Sequence, residues 1–139
     1  MSSRMKILAI DYGRKRLGFA IGSVEVHTAT PIDHWQRQSM NADISRIRTI
    51  IDDHDIEKII LGLPLNMDGS DSGTTIEVKK FYRYLKKKLP LEIEMVDERL
   101  TSFEAEELLK TQIKDYRQRK GKLDSMAAVV LLNAYFGES

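Results

Sequence analysis

The segments Ile7-Leu8-Ala9-Ile10 and Ile59-Ile60-Leu61 are apolar at every position, without the in–out alternation of a sheet that faces water on one side. Strands of this kind are covered on both faces, and in a mixed chain the covering layers are helices. The residues that bound such runs are equally informative. The first run ends at Asp11, and Tyr12-Gly13 and the basic Arg14-Lys15-Arg16 follow at once. A charge at the tip of a buried strand costs free energy unless something compensates it. Asp97-Glu98 closes the apolar run Leu91 to Val96, and Asp124 opens the apolar C-terminal helix. Three acids carried to the ends of buried elements, far apart in sequence, suggest one shared divalent cation site. That points to phosphoryl transfer rather than simple binding.

A length of 139 residues bounds the chain, 1–139, to one domain with one sizeable core. Net charge is only +1, so affinity for a polyanion has to come from local basic patches. The absence of cysteine excludes disulfides, thiolate zinc sites and thiol catalysis, and fits a reducing cytoplasm. The N-terminal apolar run stops at Asp11, too short for a signal peptide. Met126 to Leu132 falls far below the roughly 20 residues of a membrane span. A soluble, cytoplasmic protein with no membrane contact is expected.

The periodicities give an element order. Lys6 to Ile10 and Leu17 to Ile21 read as a hairpin, and Thr30 to Trp35 as a third strand that Pro31 confines to an edge. Asn41 can cap a helix with the stripe Ile44, Ile47, Ile50 and Ile51. Lys58 to Leu61 suits the middle of the sheet. Thr74-Thr75-Ile76-Glu77 reads as a capping box, with Val78, Phe81, Leu85 and Leu89 on the inner face of the helix it starts. Leu91 to Val96 is a fifth strand. Thr101-Ser102-Phe103-Glu104 is a second box, for a helix carrying Leu108 and Leu109. Lys110 to Lys122 reads as a basic loop, and Met126 to Phe136 as a helix capped by Gly137. Antiparallel strands followed by helix-linked parallel ones make a mixed sheet flanked by helices.

Each motif also has a plainer reading. Asp11-Tyr12-Gly13 alone is an ordinary turn between strands, and Asp124 alone is a helix cap. Asp97 and Glu98 are harder to dismiss, because open α/β sheets place ligands at the C-terminal ends of strands. Alternation turns them to opposite sides, and Glu98 is favoured as the one facing the site. Leu63, Leu65 and Met67 are unexpectedly apolar for a loop and suggest that it packs down over a site. The hydroxyl-rich helix start beyond it could bind a phosphate. Lys79-Lys80, Arg83 and Lys86-Lys87-Lys88 read as a solvated helix face. Lys110 to Lys122, with Arg117, Arg119 and Lys120 against the single acid Asp115, fits a polynucleotide better.

Together, Asp-Tyr-Gly-Arg-Lys-Arg-Leu-Gly at 11–18, Leu-Gly-Leu-Pro-Leu-Asn-Met-Asp-Gly-Ser at 61–70, Asp-Glu-Arg-Leu-Thr-Ser at 97–102 and Lys-Leu-Asp-Ser-Met-Ala-Ala at 122–128 closely resemble the bacterial YqgF family, also called RuvX. The resemblance runs over essentially the whole chain. It implies an α/β, RNase H-like fold with a five-stranded mixed central sheet flanked by helices. It implies Asp11, Glu98 and Asp124 as catalytic and metal-binding acids that hold Mg²⁺ or Mn²⁺ through oxygen. The implied activity is that of a nuclease, first described as a Holliday junction resolvase and later assigned to maturation of the 5′ end of pre-16S rRNA in ribosome biogenesis. Structured RNA of the ribosomal subunit, or branched DNA, would then be the partner. Arg14, Lys15, Arg16, Arg99, Arg117, Arg119 and Lys120 are the candidates for its phosphate backbone. Two departures bear on this. Gly22-Ser23-Val24 stands where the family often has Ser-Asp, and Ala127-Ala128 where junction resolvases of the superfamily tend to carry a second acid. A sugar-kinase-like ATPase would need two such domains, and a non-catalytic RNA-binding assembly module would bind without cleaving.

Overall fold

The computed structural model describes residues 5–26, 28–100 and 125–138. The elements are β1 (Lys6–Tyr12), β2 (Arg16–Ser23), β3 (Thr28–Gln36), α1 (Met40–His54), β4 (Lys58–Leu63), α2 (Gly73–Lys88), β5 (Glu92–Asp97), a 3₁₀ turn Glu98–Leu100, and α3 (Met126–Glu138). The described strands form one sheet of order β3-β2-β1-β4-β5. β1–β2 and β2–β3 pair antiparallel, while β1–β4 and β4–β5 are parallel. Pro31 does lie on an edge strand.

The unbroken apolar runs are explained by two cores, one on each face. Leu8, Ile10, Phe19, Ile59 and Leu61 pack beneath α1 and α2 with Ile47, Phe81 and Leu85. Their neighbours Ile7, Ala9, Ala20 and Ile60 point the other way, against Leu131, Leu132 and Phe136 of α3. Ile7, Ile59 and Ile60 are fully buried, and each contributes about 1.5–3 kcal/mol on transfer from water. Polar substitution on either face of β1 or β4 would break one of the two layers.

The helix caps correct the sequence reading. Ser39, not Asn41, caps α1: its extended backbone lets Oγ accept from the Ala42 N–H at 3.1 Å. Asn41 lies within the first turn and accepts from the Tyr84 hydroxyl at 2.9 Å, which ties α1 to α2. Ser72, not Thr74, caps α2, in a box closed with Thr75. The hydroxyls of Ser72 and Thr75 both reach the Pro64 carbonyl. They hold the preceding loop rather than stand open to a phosphate. α3 continues through Gly137 to Glu138. The Thr101 box, its helix and the Lys110 to Lys122 stretch lie outside the described residues. No helix among the described residues is long and apolar enough to cross a membrane.

Candidate active site

β1, β4 and β5 run parallel, so their C-terminal ends meet at one edge of the sheet. Asp11 stands at that end of β1, opposite Gly18 of β2. Glu98 is the first residue beyond β5. The two side chains, separated by β4, are hydrogen-bonded to each other. Gly62 of β4 makes this possible. A methyl group there would overlap the Glu98 carboxyl, so the missing side chain is the space Glu98 occupies.

Two carboxyls that share one partly dry site cannot both ionise easily. Burial, then the charge of Asp11, then their hydrogen bond, and last the charge of Asp97, push Glu98 from 4.5 to about 7. Burial also raises Asp11, against the lowering effect of the hydrogen bond from Glu98. The pair therefore holds on to a proton that two separate carboxyls would lose. The pair is a set of hard oxygen donors held together at an electrostatic cost, and a divalent cation would relieve it.

Asp97 does a different job. Its Oδ2 accepts from Arg99 Nη2 at 2.7 Å, and its Oδ1 accepts from the Arg99 backbone N–H at 2.9 Å. The Arg99 side chain and N–H hold Asp97 below its ordinary value. Arg99 also donates from Nη1 to the Met67 carbonyl at 3.3 Å and packs over Gly69. The guanidinium, which the sequence reading offers to a phosphate backbone, clamps the β4–α2 loop to β5 while staying partly exposed. Leu63 and Leu65 are half-buried, as expected, whereas Met67 points into solvent.

Sequence reasoning missed two supports of the Asp11 turn. Asp43, in the first turn of α1 and only 1% exposed, accepts from Trp35 Nε1 at 2.8 Å and from Arg37 Nε at 2.9 Å. Arg37 continues to the Gly13 carbonyl at 3.2 Å and lies 4.8 Å over the Tyr12 ring. The residues after Asp11 are thus fixed from β3 and α1. The other support is Ser125. The β2–β3 ladder slips between Leu17 and Phe19, and the buried Ser125 hydroxyl fills the slip. It accepts from the Phe19 N–H at 3.2 Å and donates to the Ile32 carbonyl at 2.5 Å. The entry to α3 is thereby pinned beside the β2 residue that faces Asp11. A glycine inside a buried strand could have signalled Gly62. Nothing local marks Asp43 or Ser125, whose partners are remote in sequence.

Arg14, Lys15 and Arg16 are exposed around the β1–β2 turn. Arg14 Nε pairs with Glu77 of α2 at 2.8 Å. Asp124, Arg117, Arg119 and Lys120 lie outside the described residues. No group of three or more metal-binding side chains occurs among the described residues; two of the three expected acids are in contact, and the third immediately precedes Ser125 in the chain.

A family model described as RuvX, Holliday junction resolvase, matches residues 5–138. The chain belongs to the RuvX family. A relative from Maridesulfovibrio salexigens, named "Putative pre-16S rRNA nuclease", is 38% identical over 135 residues, 97% of this chain and 100% of the relative. Among solved structures, the Fowlpox virus resolvase in complex with Holliday junction DNA matches with a TM-score of 0.59 at 13% identity, over 96% of this chain and 98% of that one. The yeast mitochondrial Holliday junction resolvase Ydc2 gives the same score and identity, over 95% and 78%. Identities this low bear on the fold alone, and the fold is RNase H-like. In this RuvX chain the second and third motifs meet physically: Gly62 of one receives Glu98 of the other.

Proposed function

We propose that this chain is a divalent-metal-dependent nuclease that processes the 5′ end of pre-16S rRNA in the bacterial cytoplasm. The observation that carries the reading is the Asp11–Glu98 carboxyl pair at the C-terminal edge of the parallel strands, in a chain of the RuvX family. The name of the Maridesulfovibrio relative favours RNA over a DNA junction as substrate.

Asp11 and Glu98 are the residues we assign to Mg²⁺ or Mn²⁺, with Asp124 as the third acid. Their all-oxygen donor set fits these ions, and the crowded pair fits a cation better than an empty site. When bound, the metal supplies Lewis-acid polarisation of the scissile phosphate and an activated water. The remaining work belongs to the chain. The proton held by the Asp11–Glu98 pair would leave to solvent, freeing both carboxylates to serve as ligands. The Ser125 bridge supports the entry of α3 next to Asp124. Arg14 and Lys15, on the turn that follows Asp11, meet the phosphate backbone, with Arg16, Arg117, Arg119 and Lys120 as further contacts. Contacts of this kind are largely blind to sequence, so RNA shape or the ribosomal subunit defines the cleavage site.

The test is cleavage of labelled pre-16S rRNA and of a four-way DNA junction by the purified protein, with and without Mn²⁺. RNA cleavage that needs Mn²⁺ is expected. Preferential junction cleavage would make the chain a resolvase, and tight RNA binding without cleavage an assembly module.

A further inference from the structure

The loop from β4 to α2 offers solvent an apolar side chain on a rigid mount. Met67 is 89% exposed, more than any other large hydrophobic residue described. A lone exposed hydrophobe is ordinary; the backbone beneath this one is not slack. Asn66 N–H donates to the Ser70 carbonyl at 2.9 Å, and Gly69 N–H returns to Asn66 at 2.8 Å. Asp68 accepts from the Ser70 N–H at 2.9 Å and from its hydroxyl at 2.6 Å. Leu65 and Asp71 form a β-bridge at the loop's base, and Gly69, at φ +88°, closes the turn. Arg99, the residue after Glu98, grips the Met67 carbonyl and leaves the side chain outside.

We propose that Met67 is a wedge that inserts against a nucleobase beside the scissile phosphate, so that the favoured substrate carries an unpaired or readily unstacked base at that step. The inference deepens the nuclease reading and rests on it. Apolar side chains, methionine among them, are used in this way to part base steps. The polarisable thioether packs well on an aromatic face. A protein partner fits less well. Asn66, Asp68, Gly69 and Ser70 surround the tip with exposed polar surface, whereas a protein interface is built on a contiguous apolar core. A single narrow apolar tip suits a stack of bases, and the exposed Arg14 and Lys15 can hold the strand.

The test uses two RNA hairpins, one with a bulged 2-aminopurine and one with the same base paired, with Ca²⁺ in place of Mg²⁺. Affinity is read by anisotropy and unstacking by 2-aminopurine emission. The wild type should prefer the bulged hairpin and raise its emission. Met67→Ala should lose the emission rise and about tenfold of that preference, roughly 1.4 kcal/mol, with its affinity for the paired hairpin and its melting temperature unchanged. Met67→Leu should restore the emission rise. If Met67→Ala keeps preference and emission, the tip touches no base and the proposal falls, while wild-type cleavage of pre-16S rRNA would still uphold the nuclease. If the wild type binds neither hairpin and cleaves nothing, both fall.

Discussion

At the scale of single residues, the site depends on an absence. Gly62→Ala would place a methyl group where the Glu98 carboxyl sits, and the flexible end of Glu98 is what must move. We expect cleavage to fall at least tenfold, with only a small change in melting temperature. Equal cleavage by this variant would mean that Glu98 needs no such cradle. Glu98→Gln should abolish activity, whereas Asp97→Asn should be milder because Asp97 is spent on Arg99. The pH dependence of the metal-free protein follows from the same pair. Glu98 titrates near 7 in the folded state against 4.5 ordinarily. The folded state therefore binds more protons between those values, and stability falls as pH rises through that window. Asp11→Asn removes the repulsion and should flatten the slope, which denaturant melts in chelator at pH 5 and 7.5 would measure.

At the scale of elements, the Asp11 turn is held by a buried ion pair two elements away. Arg37→Leu would strand the Asp43 carboxylate in the core. Breaking a buried pair in this way costs about 3–5 kcal/mol, so a drop in melting temperature of about 10 °C or more is expected, unlike the variants at the carboxyl pair. A melting temperature within a degree of wild type would count against this frame. Legibility in the sequence divides along the same line. The strands were legible because burial on both faces leaves an unbroken apolar run, and the edge position of β3 because Pro31 cannot donate to a ladder. The caps were not. Ser39 and Ser72 compete with Asn41 and Thr74, also good cap formers and each two residues away, and only backbone geometry decides between them. Asp11 and Glu98 were legible as charges ending apolar runs. The roles of Arg37, Asp43 and Ser125 depend on contacts across β2, β3 and α1 that no local pattern encodes.

Over the whole molecule, the net charge of only +1 means that the RNA affinity we propose would rest on local basic residues, those around the Asp11 turn and Arg117, Arg119 and Lys120. Replacing those last three with alanine should weaken RNA binding and lower the salt slope by roughly 0.7–0.9 per lost phosphate contact. An unchanged slope would make that stretch a solvated surface. The central claim is that Asp11 and Glu98 jointly hold the catalytic cation, and calorimetric titration with Mn²⁺ tests it most directly. Asp11→Asn and Glu98→Gln should each weaken Mn²⁺ binding at least tenfold, about 1.4 kcal/mol, while melting at or above the wild-type temperature in chelator. Wild-type Mn²⁺ affinity in either folded variant would contradict the account.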